Sequence, residues 1–457
     1  MSTTNSLSSL TDSLGSSGAG TTSGTGLGQG INVQQFVQFA VANRTAAITV
    51  LQTQRTTLGS QASEIATITS ELGSLDNAAA ALRDPLGALS AETATSSNSA
   101  VVSATAASTA TTGSHTITVT SLATTSSYYT NELSSSTTIA PGTFKIQVGS
   151  NAPTTITIDS TDNTLSQLAV TINGQNAGVS ASVIQDANGS RLALVSSTSG
   201  LPGDVTVSGN TTGLTFTKAV AGTNAAVQVD GIPISSASNT VSNVINGVTL
   251  NLGSPSAAPI TVNVSPDTTQ ATAAINAFVS AYNSVVAEIS NQFKVNADGS
   301  GGGVLETDNT LRQAQSQLLS AISYSVSGNN GIVNLASIGV NLADDGTLSV
   351  DNGALSTALS SNYSAVQNLF QNATSGFTQN LHSVIGTLTA PSSGILTLDT
   401  QSITSTTQSL TQQISDLQAA LTAQELSLTN VYSQVNATLQ ELPLLLSQIS
   451  SQIGAIK

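Results

Sequence analysis

The residues able to carry chemistry are few and scattered. The chain has no cysteine and only two histidines, His115 and His382. Without thiols there is no Cys nucleophile, no disulfide and no thiolate metal site. His115 falls in an expected strand and His382 on an expected amphipathic helix. Each therefore reads as a structural side chain rather than as half of an acid–base pair. Carboxylates gather at Asp344-Asp345-Gly346 with Asp351. That run lacks the alternating aspartates and the closing glutamate of a calcium loop, and Asp-Gly suits a hairpin turn. Asp298-Gly299 and Asp230-Gly231 read the same way, while Glu306 and Asp308 suit the positive end of a helix carrying Leu311. No HExxH, GxSxG, GxxxxGKS/T or GxGxxG pattern occurs. The expectation is a chain without catalytic, cofactor or metal sites, and therefore not an enzyme.

Such a chain must act through surfaces, and its composition narrows which ones. Charged residues make up 7% of the 457 residues, against roughly 25% in ordinary soluble domains. Net charge is −15, and the nine Lys and Arg are scattered. Nucleic acid is excluded as a partner because phosphates require clustered cations, and anionic membrane surfaces are disfavoured for the same reason. No run of about 18 apolar residues is present, so no membrane insertion is expected. The first residues show neither a basic region nor an apolar core of a cleaved signal. Low charge density leaves little repulsion against self-association.

The elements that position these surfaces follow from periodicity. Residues 1–25 are rich in Ser, Thr and Gly and read as a flexible leader. Asn32 is placed to cap a helix carrying Phe36, Val37, Ala40 and Val41. A seven-residue beat follows at Leu51, Leu58, Ile65 and Leu72, with Ile68, Leu75 and Leu82 as companions. Asp84-Pro85 is the stop. From Ser90 the period becomes two, with strands expected at His115–Val119, Phe144–Val148, Thr155–Ile158, Val205–Val207, Val227–Val229, Val248–Leu250 and Ile260–Val262. A short helix opens at Thr164. Asn188-Gly189 turns a hairpin between Val179–Ile184 and Arg191–Val195. After Pro266 the helical period returns through Ile275, Phe278, Tyr282 and Ile289, interrupted by a small hairpin at Asp345-Gly346. A second seven-residue beat closes the chain at Ile414, Leu421, Leu428, Val435, Leu442, Ile449 and Ile456. Pro443 lies within it and predicts a joint just before that residue.

The fold class expected is α+β. N- and C-terminal helices form a coiled-coil or helical-bundle stem, and two β-rich head domains nest between them. Leu51, Leu58, Ile65 and Leu72 with Ile414 and Leu421 read as the internal core of that stem. Beyond Gln424, Leu439, Leu446 and Ile453 join Leu428, Val435, Leu442, Ile449 and Ile456, a wider apolar face than a lone helix shows to water. This far segment is the candidate docking surface for other proteins.

Several stretches, in order, resemble one family. Gly26-Leu27-Gly28-Gln29-Gly30-Ile31-Asn32 is similar to the opening of the bacterial flagellar filament cap family, also called hook-associated protein 2 or FliD. Gly113 to Val119 with Leu122-Ala123 resembles the strand entering its β head. Asn188 to Leu194 is similar to the hairpin repeated among flagellar axial proteins. Val229 to Ile234 with Gly247 to Leu250, Phe278 to Asn283, and Ile338-Gly339-Val340 with Asp345 to Leu348 match its later half. The long leader, the sparse charge of the first helices and Pro443 depart from the pattern.

The resemblance implies a ring-shaped, pentamer-like homo-oligomer at the filament tip, which retains exported flagellin and promotes its folding and insertion. It implies contacts with flagellin and hook–filament junction proteins, and an export chaperone on the C-terminal helix. It also implies type III export to an extracellular location. The expected division is a leader at 1–25, terminal docking segments at 26–47 and 425–457, and a helical leg at 48–86 and 268–424. An inner head at 87–133 and 222–267 carries an outer head at 134–221. Two other readings stay open: another axial protein, flagellin or junction protein, and an adhesin on a coiled-coil stalk.

Overall fold

The structure, a computed structural model, describes residues 32–134, 137–161, 163–294 and 302–454. The leader, the Gly26–Ile31 stretch and Ile456 lie outside the described residues, as does most of the Gly-rich loop at 298–303. The helices are α1 (Val33–Arg83), α2 (Leu165–Gly174), α3 (Thr268–Phe293), α4 (Asn309–Ile322), α5 (Asn352–Ser361), α6 (Tyr363–Gln371), α7 (Phe377–Thr389) and α8 (Ile395–Gly454). The described chain is thus helical towards both ends with antiparallel strands between, the α+β class that the sequence implies.

The chain divides into two compact units. The first combines residues up to Gly73, Ser284–Leu318 and Val384 onward. Asn32 starts α1 as expected, its Oδ1 accepting the Gln35 N–H at 3.2 Å. Threonine is a modest helix former because its hydroxyl competes for backbone groups. On α1 that competition is absorbed within the helix. Thr49, Thr53 and Thr57 each donate to the carbonyl four residues back, at 3.0, 3.0 and 3.1 Å. Thr400, Thr404 and Thr411 do the same on α8. The helices thus hold many threonines without leaving these hydroxyls unpaired. The core of this unit is lined by Ile65, Ile68 and Leu72 of α1, Val285 and Ile289 of α3, Leu311 of α4, and Leu396, Ile403, Leu410 and Ile414 of α8, all buried.

The helix is not broken before Pro443 into two segments: α8 continues through it to Gly454. A proline removes one intrahelical hydrogen bond, but its fixed φ is compatible with a helix. The leucines flanking it on both sides are strong helix formers.

The second unit, Ser74–Asn283 with Leu319–Ser383, contains a helical part and two β cores. In the helical part Phe377 meets Phe278 and Phe370 edge-on, with ring centroids 5.6 and 6.0 Å apart. Asn283 clamps the small hairpin from both sides: its Nδ2 donates to the Leu348 carbonyl at 2.8 Å and its Oδ1 accepts the Leu348 N–H at 2.7 Å. The hairpin pairs Val340–Leu342 with Leu348–Val350 and turns at Gly346, φ 84°.

One β core packs a five-stranded sheet and a three-stranded sheet around Val102, Ile117, Val119, Val227, Leu250 and Val262. The other is built on Phe144, Ile146, Leu168, Ile172, Leu192 and Val205, with α2 against its strands. The strand Thr125–Thr130 pairs with Ser190–Ser199 and with Phe216–Val220, so it joins the sheet that serves this second core. The hairpin at Asn188-Gly189 is present, but Asp186 builds it. Its Oδ1 accepts the N–H groups of Asn188 and Gly189, and its own N–H reaches the Gly189 carbonyl at 2.9 Å.

Candidate functional site

Neither histidine is free. His115 Nδ1 lies 2.8 Å from Asp230 Oδ2, and Asp230 Oδ1 accepts the Thr116 N–H, so the pair ties the Asp230-Gly231 turn to the strand Gly113–Ser121. That hydrogen bond from His115, followed by the Thr116 N–H, holds the Asp230 carboxyl below the usual range. His382 Nδ1 lies 2.8 Å from Asp76 Oδ1. Asp345 accepts the N–H and hydroxyl of Thr347, and Asp351 caps α5 through the N–H groups of Gly353 and Ala354. Asp230, Asp345, Asp351 and Asp308 therefore serve turns and helix starts. Among the described residues no cluster of three or more metal-ligating side chains forms, and no helix is long and apolar enough to cross a membrane.

The candidate site is the surface of α8. Of the residues expected in the stem core, Ile65, Leu72 and Ile414 are buried, while Leu51, Leu58 and Leu421 are half-buried. Further along α8, Leu428 and Leu439 are half-buried, and Val435, Leu442, Leu446, Ile449 and Ile453 are exposed. Leu444, Leu445 and Leu426 are exposed beside them.

The paired stretch reaches beyond Gln424. The Phe36 ring stands 5.7 Å from that of Tyr432, and Val33, Gln34, Val37 and Gln38 line one groove with Glu425, Thr429 and Ser433. A second run of sevens, Leu396, Ile403, Leu410 and Leu417, also went unread in the sequence. Its first three members are buried, and its period was the signal available.

Long helices near both ends of the described chain, antiparallel β cores between them, and an exposed apolar strip on α8 suit a structural assembly protein. Family models agree on which kind. The chain matches "Flagellar hook-associated protein 2 N-terminus" over 29–126, "Flagellar hook-associated protein 2 C-terminus" over 222–443 and "Flagellin hook IN motif" over 143–198.

It is 30% identical over 391 residues to the B-type flagellar hook-associated protein 2 of Pseudomonas aeruginosa, covering 77% of this chain and 82% of that one. Against flagellar hook-associated protein 2 of Escherichia coli K12 it is 30% identical over 342 residues, 69% of this chain and 72% of that one. The crystal structure of the D1-D2-D3 domains of the flagellar cap protein FliD from Escherichia coli matches with a TM-score of 0.58 at 31% identity, over 75% of this chain and 99% of that one. The chain belongs to the flagellar hook-associated protein 2 family.

Proposed function

We propose that the chain is a structural cap at the distal end of the bacterial flagellar filament. Copies form a ring, pentamer-like in number, that retains exported flagellin and promotes its folding and insertion into the growing filament. The protein does its work outside the cell, after export by the flagellar type III route. The observation carrying this reading is the likeness to the FliD cap structure across 75% of the chain, together with the exposed strip at the end of α8.

The two β cores supply the heads, an inner one at 87–133 and 222–267 and an outer one at 134–221, except that the strand Thr125–Thr130 pairs into the sheet of the outer one. The residues at 48–86 and 268–424 supply the leg, with Leu51, Leu58, Ile65, Leu72, Ile414 and Leu421 in its core. The segments 26–47 and 425–457 dock on flagellin and on hook–filament junction proteins through Leu428, Val435, Leu439, Leu442, Leu446, Ile449, Ile453 and Ile456. Before export a chaperone covers that same strip. A leg that must release and rebind as the tip grows is suited to contacts made by a segment that gives up freedom on docking, since the ordering cost keeps them reversible.

Deleting residues 425–457 tests the reading. The expected result is loss of filaments, with flagellin released into the medium and the β heads still folded. Filaments of normal length in that strain overturn it.

A further inference from the structure

Several sheet edges of this chain are closed by uncharged devices. The strand Val179–Gln185 is an edge, and Asn173 of α2 caps it. The Asn173 Nδ2 donates to the Ala181 carbonyl at 2.8 Å, and its Oδ1 accepts the Ala181 N–H at 2.7 Å. One amide side chain thus stands in for a neighbouring strand at Ala181. Asn283 does the same for Leu348 of the small hairpin. On the edge strand Ile232–Ser236, Pro233 faces outward and has no N–H to offer.

The edge strand Thr154–Ile158, in the core built on Phe144, carries no such guard. It pairs with Gly142–Val148 in unbroken register, without bulge, proline or charge. The direction of its backbone groups follows from its neighbours. The Gly149 N–H donates to the Asp204 carbonyl at 2.8 Å, in register with the pairs Gln147–Thr206 and Lys145–Ser208. Alternate residues of an antiparallel strand bond to opposite sides. Odd-numbered residues of Gly142–Val148 therefore bond to Val205–Ser208, and even-numbered ones to Thr154–Ile158. Phe144 exchanges its bonds with Ile156, while Thr155 and Thr157 turn their N–H and C=O groups away from the sheet. Both threonines are exposed, and among the described residues nothing hydrogen-bonds these outward groups. Pro153 and Asp159 bound the open stretch, which has room for a short strand.

We propose that this edge is a strand-addition site that takes a short extended segment of unfolded polypeptide. Resting on the cap reading above, that polypeptide is exported flagellin before it folds. Strand addition draws its affinity from main-chain hydrogen bonds, so it accepts an unfolded chain with little regard to sequence. The uncharged edge repels neither sign of charge. A second copy of this chain is a poor occupant. Pairing this edge with itself is a two-fold contact, which closes a dimer and cannot propagate around a ring of more than two. None of these residues belongs to the apolar strip of α8, so the two surfaces can be disabled separately.

Pulse-labelled amide exchange on the full-length protein tests this, with flagellin unfolded in urea and diluted in as the probe. Exchange at the Thr155 and Thr157 amides is expected to slow by about tenfold or more when flagellin is present, while Ala181 is unchanged. Thr157→Pro spares the ladder, since the lost N–H faces outward, and is expected to abolish the slowing at Thr155. Thr157→Lys blunts the same edge by charge and serves if the proline unfolds the strand; circular dichroism checks both. In a strain lacking this protein, the parental chain is expected to restore filaments, and either variant to release more flagellin into the medium. Unchanged exchange beside restored filaments overturns the edge site and leaves the cap reading intact. Slowing without flagellin that grows with the concentration of this protein assigns the edge to a second copy and overturns the proposal. Failure of the parental chain to restore filaments overturns the cap reading, and with it flagellin as the occupant.

Discussion

Asp399 on α8 sets its carboxyl against that of Asp308, the residue that caps α4 by accepting the Leu311 N–H at 2.9 Å. Burial, then the Asp308 charge and a hydrogen bond with it, push Asp399 up to about 6. Glu288 is raised in the same unit by burial and by Glu64 and Glu71. A folded-state value above the unfolded carboxylate value of about 4 means that the protonated form is the favoured one. The stability it brings is fully present below about pH 4 and is lost as pH rises through about 6. Asp399→Asn keeps the hydrogen bond and removes the repulsion. Thermal melts at pH 5 and pH 8 should show the variant more stable than the parent at pH 8, by about 1 kcal/mol after allowing for solvent screening, with no gain at pH 5.

Asp204 in the β region has the opposite sign. Burial works to raise it, but the Gly222 N–H at 2.8 Å and the Lys218 ammonium at 2.9 Å outweigh that and hold it low. Its contribution is present above the unfolded value and is lost as pH falls through the folded one. Asp204→Asn should cost about 1–2 kcal/mol at neutral pH, read as a lower urea midpoint. The loss should shrink in acid.

These two sites mark the limit of what the residues alone disclose. Signals confined to a few neighbours were legible: Asn32 as a cap, Asp84-Pro85 as a stop, Asp345-Gly346 as a turn. Strands with strong alternation, such as Phe144–Val148, were legible too. Strands made of Ser, Thr and Ala were not. Glu92–Ser96 and Val102–Ala106 exist because Pro266 to Val262 and Leu252 to Val248 pair with them from far along the chain. Asp308 and Asp399 are likewise neighbours only in three dimensions. Both halves of the heptad strip could be counted in the sequence, but burial separates the half that forms a core from the half left open.

That separation makes a paired prediction. Leu72 is fully buried, whereas Leu446 is 50% exposed. Leu72→Ala should cost 2–5 kcal/mol, the range for emptying a packed core site, and lower the urea midpoint accordingly. Leu446→Ala should leave the midpoint within about 0.5 kcal/mol of the parent, yet reduce swimming in soft agar. Equal effects on the midpoint would deny the distinction between leg core and docking strip.

Pro443 bears on how firmly that strip is presented. It lies inside α8 without ending it, yet a proline in a helix interior costs about 3 kcal/mol relative to alanine. The carbonyl of Leu439 loses its usual partner, because residue 443 has no N–H to donate. The segment from Leu439 onward is therefore held in helix by less than its leucines alone would supply, and local opening there requires less energy than in the buried stretch around Ile414. Pro443→Ala restores the missing bond. Amide exchange between residues 439 and 454 should slow by tenfold or more, while exchange near Ile414 should stay as in the parent. If docking depends on a segment that orders on contact, the stiffened variant should bind its partners more tightly and release them more slowly, and filament growth should slow even though the strip is intact. Unchanged exchange in the variant would show that the proline does not weaken this helix.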